Sequence, residues 1–249
     1  MRLPWSRAQP ALGVLDIGGS IDEAKALEVL MVLRDTDWHR KNIKVLMLRV
    51  SSNGGSLGAA QAICEGIETV RGEIGLLTLS LITETALSAA FYVALASDEV
   101  IATPAATVGN AGAMVGNLNG SALADKLGIS FDPVRTGIGK GIMHPLAKRD
   151  PASEHMLQGL VDDVAAQYFD WVGRRTGISD SALETLKDGR LLSGKQAAAL
   201  GLIGSCGSFF SAIARASEHA GVESVAVIWL NPSRPSVLSR LAKGVKALF

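Results

Sequence analysis

The chain has 249 residues, 48% of them hydrophobic, which is enough apolar material to bury one large core. Its 24 lysines and arginines balance 24 aspartates and glutamates, so there is no net positive charge to hold a phosphate backbone and a nucleic-acid partner is not expected. Cys64 and Cys206 lack CxxC spacing, and His39, His144, His155 and His219 lack ligand spacing, which argues against a disulfide framework and a metal site and fits a reducing compartment.

In chain order, Met1 to Pro10 carries Arg2 and Arg7 with no apolar stretch behind them. It reads as an amino-terminal extension without a secretory signal, and the expected location is cytoplasmic. Val14 to Ile17 and Lys44 to Val50 are β-rich runs. Between them Ile21, Ala24, Leu27, Leu30 and Met31 share a helical face. The pattern continues with a helix over Ser56 to Val70, a strand over Gly75 to Ile82, a helix over Ser88 to Ala96 and a strand over Glu99 to Ala102. Alternation of this kind predicts an α/β core of parallel strands joined by right-handed crossovers. Ile74 to Ala96 is long enough to span a bilayer, but Glu84 and neighbouring hydroxyls sit at its middle, so a buried strand followed by a buried helix is the better reading.

Beyond Val134 the spacing predicts helices over Ala152 to Arg174, Ser179 to Leu186 and Ser193 to Leu200, with Ser179 and Ser193 as N-caps. A strand at Val225 to Leu230 closes a single domain spanning 11–230. Asn231, Pro232 and Pro235 mark a linker. The tail from Ser236 to Phe249 patterns as a basic amphipathic helix, with Val237, Leu238, Leu241, Val245 and Leu248 against Arg240, Lys243 and Lys246. Its expected cover is a neighbouring subunit, the alternative being peripheral contact with a membrane surface.

Two small-residue turns carry the candidate chemistry. Thr85-Ala-Leu-Ser88-Ala-Ala90 runs into an apolar helical stretch, and Thr136-Gly-Ile-Gly-Lys140-Gly141 lies 52 positions beyond. A serine hydroxyl needs a base to become a nucleophile, and a desolvated lysine can be that base. No Ser-His-Asp set competes with this pair. The glycines around Lys140 also suggest a phosphate loop, but Val134 stands where its leading glycine belongs and Gly141 replaces the required Ser or Thr, so nucleotide binding is rejected. Ser88 alone would most often be an N-cap, Lys140 alone a solvated loop lysine, and Gly54-Gly55 a plain turn.

Read together, three blocks in order resemble the signal-peptide peptidase A family of serine–lysine proteases, which shares the Clp protease and crotonase type of fold. Leu48 to Ser56 resembles its oxyanion strand and loop, Ser88 to Val100 its nucleophile helix, and Thr136 to Pro145 its lysine loop. Asp188-Gly-Arg190 and Gly194-Lys-Gln-Ala197 resemble later blocks, so the likeness runs over roughly residues 12 to 205. The implied fold is a repeated β-β-α superhelical core with a C-terminal helical part. The implied function is a serine endopeptidase acting on signal-peptide-like or unfolded segments, in a ring-like homo-oligomer, with no metal or organic cofactor.

The resemblance assigns Ser88 as nucleophile, Lys140 as base, Gly55 and Ala89 as oxyanion donors, and Asn110 as the residue orienting the lysine. Asn53, Gly54, Ser56 and Leu57, with Ala111, Gly112 and Ala113, would bind an extended peptide. Asn53 stands where the family favours Pro, Ala89 and Ala90 where it favours glycines, and Asn110 where it favours Ser. These departures motivate one alternative, a non-catalytic peptide-binding or scaffold relative. Glu84 motivates another, a crotonase-type acyl-thioester enzyme.

Overall fold

A computed structural model describes residues 9–231; the expectations for the first residues and for the tail beyond Asn231 fall outside them. The chain runs β1 (Ala11–Gly18), α1 (Glu23–Asp35), β2 (Ile43–Ser52), α2 (Leu57–Ile74), β3 (Leu77–Leu87), α3 (Ala89–Ala94), β4 (Glu99–Ala102), β5 (Thr107–Gly109), α4 (Ser121–Lys126), α5 (Pro151–Thr176), α6 (Asp180–Leu186), β6 (Leu191–Ser193), α7 (Gly194–Ala199), β7 (Ser205–Cys206), α8 (Phe209–His219) and β8 (Ala226–Trp229). The sheet order is β6-β5-β3-β2-β1-β8, with β4 joining β3 to β7. Every pairing is parallel except β5 with β6.

β2 is buried almost throughout because both faces of the sheet are covered, as parallel strands require. One face packs Leu15, Ile17, Leu46, Leu48 and Ile82 beneath α1, α2 and α3. The other packs Leu12, Val14, Val45, Met47, Leu79 and Leu81 against Ala212 and Ala216 of α8. The active-site candidates follow the carboxyl ends of β2, β3 and β5, which lie side by side because Ser52 pairs with Ala86 and Leu87 with Gly109.

Four expectations need amendment. The buried stripe of α1 is Ala26, Val29 and Leu33, while Ala24, Leu27 and Met31 face outward. The partner α2 sets this rotation: Gly66 leaves a gap that Leu30 fills, since a Cβ there would stand 2.4 Å from Leu30 Cδ2. β3 continues past Ile82 to Leu87, so Thr85 to Leu87 are strand rather than turn. The short strands β5, β6 and β7 and the helices α4 and α8 were not anticipated. Asn231, read as opening a linker, is tied into the body: its side-chain oxygen accepts from the Asp16 N–H and its amide donates to the Asp16 carbonyl.

Candidate active site

Ser88 occupies the one-residue joint between β3 and α3, with φ 50° and ψ −123°. That region suits glycine and costs a residue with a Cβ about 1–3 kcal/mol, so it persists where surrounding bonds over-determine it. Here they do: the Ser88 N–H donates to the Gly109 carbonyl (2.8 Å), and the Ser88 carbonyl accepts from the N–H groups of Phe91 (3.0 Å) and Tyr92 (3.1 Å) and from the Tyr168 hydroxyl (2.9 Å). A sharp strand-to-helix turn of this kind lifts its side chain out of the ladder.

Asp22, Ser56, Asp150, Ser179, Ser193 and Ser208 each cap a helix through a side-chain oxygen. Ser88 holds the same position on α3 and makes no side-chain cap bond. Its half-buried hydroxyl is left for other chemistry.

The glycine loop lies against this joint. A Cβ on Gly54 would stand 2.5 Å from the Leu87 carbonyl oxygen, 3.0 Å from Ser88 Cβ and 3.2 Å from Ala89 N, and a Cβ on Gly55 would stand 2.3 Å from the Ile21 carbonyl oxygen. Their φ angles of 96° and 153° also favour glycine. The loop is held from behind, because Ile21 donates to the Gly54 carbonyl (2.9 Å) and accepts from Ser56 (2.7 Å). Ser52 Oγ donates to Gly19 (2.6 Å) and accepts from Gly54 N–H (3.1 Å). This bridge leaves the Gly55 N–H without a protein acceptor among the described residues, and the Ala89 N–H, first in α3, is likewise unspent. Asn53 is exposed, Ser56 spends its hydroxyl capping α2, and Leu57 is already helical.

Asn110 follows the β5 residue paired with Leu87, which sets it beside Ser88 in register. It adopts φ 47° and its N–H donates to the Arg190 carbonyl (2.9 Å). The Asp188-Gly-Arg190 block therefore has a local purpose: Arg190 is fixed by Asp188 (2.6 Å) and its carbonyl crowds Gly109, where a Cβ would lie 2.5 Å away. Ala111 is buried and Gly112 has φ 131°. Ala113 is half-buried in a segment without regular structure.

Lys140 is placed differently. It lies in a run of turns, with its N–H on the Gly137 carbonyl (3.1 Å) and its side chain exposed and without a partner among the described residues. Its segment is an arm stitched to itself by Asn117 to the Met143 carbonyl (2.8 Å), Gly120 to Pro145 (2.8 Å), and Phe131 stacked on His144 (3.9 Å). The arm meets the body at Met156, whose sulfur lies 3.3 Å from where a Cβ on Gly139 would stand. Met156 and the Ser88-bound Tyr168 are 12 residues apart on α5, roughly 18 Å at 1.5 Å per residue. Ser88, Gly54, Gly55, Ala89 and Asn110 are thus gathered within the chain, and Lys140 is not bonded to them.

Glu84 is exposed, accepts from Ser51 Oγ (3.3 Å), and sits near Arg49, whose guanidinium is held above its ordinary value by its bond to Asp16. No cluster of metal-binding side chains occurs among the described residues.

The model of Peptidase family S49 matches residues 74–223, which hold Ser88, Asn110, Lys140 and the Asp-Gly-Arg block. The chain belongs to peptidase family S49. It is 27% identical over 167 residues to "Putative signal peptide peptidase SppA" of Enterococcus faecium, covering 67% of this chain and 48% of that protein. It is 24% identical to Protease 4 of Haemophilus influenzae, covering 98% of this chain and 42% of that one. The chain thus spans about half the length of these relatives or less. Two solved structures of 1510-N membrane-bound stomatin-specific protease, one a serine-to-alanine mutant and one a lysine-to-alanine mutant in complex with a substrate peptide, superpose with a TM-score of 0.61 at 14% identity, covering 91% and 97% of this chain. S49-family proteases have a ClpP/crotonase-like fold, and the sequence resemblance to that fold is borne out.

Proposed function

We propose that this S49 chain is a serine endopeptidase in which Ser88 attacks a peptide carbonyl. The observation that carries the reading is the strained joint at Ser88, with its hydroxyl uncommitted and two unspent N–H groups, of Gly55 and Ala89, beside it. Backbone donors fixed in advance stabilise the oxyanion without reorganising, and removing one typically costs about 3 kcal/mol. Asn53 and Gly54 on one side and Ala111 to Ala113 on the other would hold the substrate backbone extended.

Lys140 is the base in this proposal, with Asn110 accepting from its ammonium after assembly. Assembly into a homo-oligomer is what brings the arm of one copy over a Ser88. Lys140, exposed and without a partner among the described residues, and the exposed apolar side chains Met114, Leu118, Leu127 and Val134 on the same arm support that step. The peptide is the substrate class; a signal-peptide-like or unfolded segment suits the small residues Ala89, Ala111, Gly112 and Ala113 around the site. The acyl-thioester alternative through Glu84 draws less support, because Glu84 is committed to Ser51 and lies beside the Arg49–Asp16 pair.

Digestion of a mixed peptide library tests the proposal. The wild-type chain should cleave it, while Ser88→Ala and Lys140→Arg should not, since a guanidinium stays protonated and cannot serve as base. Cleavage by either variant at the wild-type rate overturns the assignment of that residue. Binding of library peptides without cleavage by the wild type would mean the non-catalytic relative.

A further inference from the structure

The carboxyl-terminal part of α5 is bonded to α3 and the residues that follow it. Tyr168, Trp171 and Arg175 follow one another at helical spacing, and each bonds a backbone carbonyl of the α3 region: Tyr168 to Ser88 (2.9 Å), Trp171 to Tyr92 (3.1 Å), and Arg175 to Leu95 (2.6 Å), Ala96 (3.0 Å) and Ser97 (2.9 Å). The Arg175 guanidinium sits at the carboxyl end of α3, where a cation is favoured. Tyr168 is 1% exposed, and burial pushes its phenol above its ordinary value, so it remains a donor.

The Tyr168 bond falls on a peptide unit with two jobs. The unit joining Ser88 to Ala89 is planar and trans, so its carbonyl and the Ala89 N–H point in opposite directions and cannot be turned separately. Fixing the Ser88 carbonyl therefore aims the Ala89 N–H. The other two donors to that carbonyl, Phe91 and Tyr92, belong to the same short turn and move with it. Tyr168, 80 residues later in the chain, is the donor that refers the unit to the rest of the fold.

We propose that Tyr168 is a positioning residue for the reaction at Ser88, holding the Ser88–Ala89 peptide so that the Ala89 N–H points at the developing oxyanion. This rests on Ser88 being the nucleophile. Tyr168→Phe removes one oxygen and keeps the ring against Tyr92 (centroids 5.5 Å) and Phe169 (5.6 Å). An aim lost at the transition state lowers the rate of the bond-forming step and leaves ground-state binding alone.

The experiment measures inactivation by a fluorophosphonate probe, whose phosphoryl oxygen would occupy the same site, for the wild type, Tyr168→Phe and Val29→Ala. The last trims a buried side chain of α1, a helix that contributes no bond to the Ser88 joint, and controls for lost stability. Tyr168→Phe should slow the maximal inactivation rate about tenfold with the probe's half-saturation unchanged, while Val29→Ala matches the wild type. A Tyr168→Phe rate equal to that of Val29→Ala, or a loss expressed wholly in half-saturation, overturns the positioning role. If the wild type itself is not labelled at Ser88, the nucleophile reading fails and the positioning role falls with it, which is seen before either variant is compared.

Discussion

At the scale of single residues the site is defined by what lacks room and what lacks a partner. Gly54 is the plainest case, since any side chain there meets the Leu87 carbonyl and Ser88 at once, at a φ that other residues avoid. Gly54→Ala should cost about 3 kcal/mol of stability and lower peptide cleavage more than a hundredfold, because relief of the clash must move the Ser88 joint. Gly72→Ala, in the same chain but with open space around it, is the control and should leave both unchanged or raise stability slightly. Thermal melts beside cleavage rates decide this, and a Gly54→Ala chain as active as Gly72→Ala would mean the loop is not packed as described. The pair Gly54-Gly55 could be read from the sequence as a turn, and a resemblance could name its role. Ser52 and Ile21, which hold the loop, carry no sequence signal because their part is played by one hydroxyl and by backbone.

Among the elements, most strands and helices were legible, and β5, β6, β7, α4 and α8 were not. β2 and α2 announce themselves by unbroken apolar content and by periodicity. β5 and β6, three residues each, exist because Thr107 to Gly109 finds Leu191 to Ser193 some 84 positions away, an antiparallel pairing no local window contains. Helix α1 was legible, but the stripe read from the sequence was not the one it buries, because the rotation of the helix depends on the gap at Gly66 of a different helix. Likewise Tyr168 and Arg175 read as ordinary helix residues until α3 lies across them. α8 is held to strand β4 by Glu99, which receives Arg215 (2.8 Å) and His219 (3.2 Å). Burial alone would raise the Glu99 carboxyl, but the hydrogen bonds from Arg215 and His219 outweigh it and hold the group below its ordinary value. A depressed carboxylate contributes stability above its unfolded value, near ~4.3, and loses that contribution as pH falls through the folded one. Glu99→Gln should therefore melt lower than the wild type at pH 7, by the equivalent of about 0.5–1 kcal/mol, with the gap closing below about pH 4. A gap that is constant with pH would mean that the ion pair contributes nothing to stability.

For the whole molecule, the arm from Gly112 to Asp150 is the part least explained by a single copy. Its own hydrogen bonds stitch it together, yet it presents Met114, Leu118, Leu127, Val134 and Ile138 to solvent beside Lys140, which has no partner among the described residues. Apolar side chains crowded on one exposed segment mark an interaction surface. Light scattering should give a mass that is a multiple of one chain, and Leu118→Asp should shift it toward the single chain and abolish cleavage together. A fully active monomer would separate the arm from the chemistry. No helix among the described residues is long and apolar enough to cross a membrane.

The most direct measurement on Ser88 is covalent labelling of the native chain by a fluorophosphonate probe, with the modified residue mapped by mass spectrometry. One adduct per chain on Ser88, lost in Ser88→Ala and strongly slowed in Lys140→Arg, is the expected result. An intact assembly that takes no label, or takes it at another serine while Ser88 stays free, contradicts the assignment of this strained joint as a nucleophile.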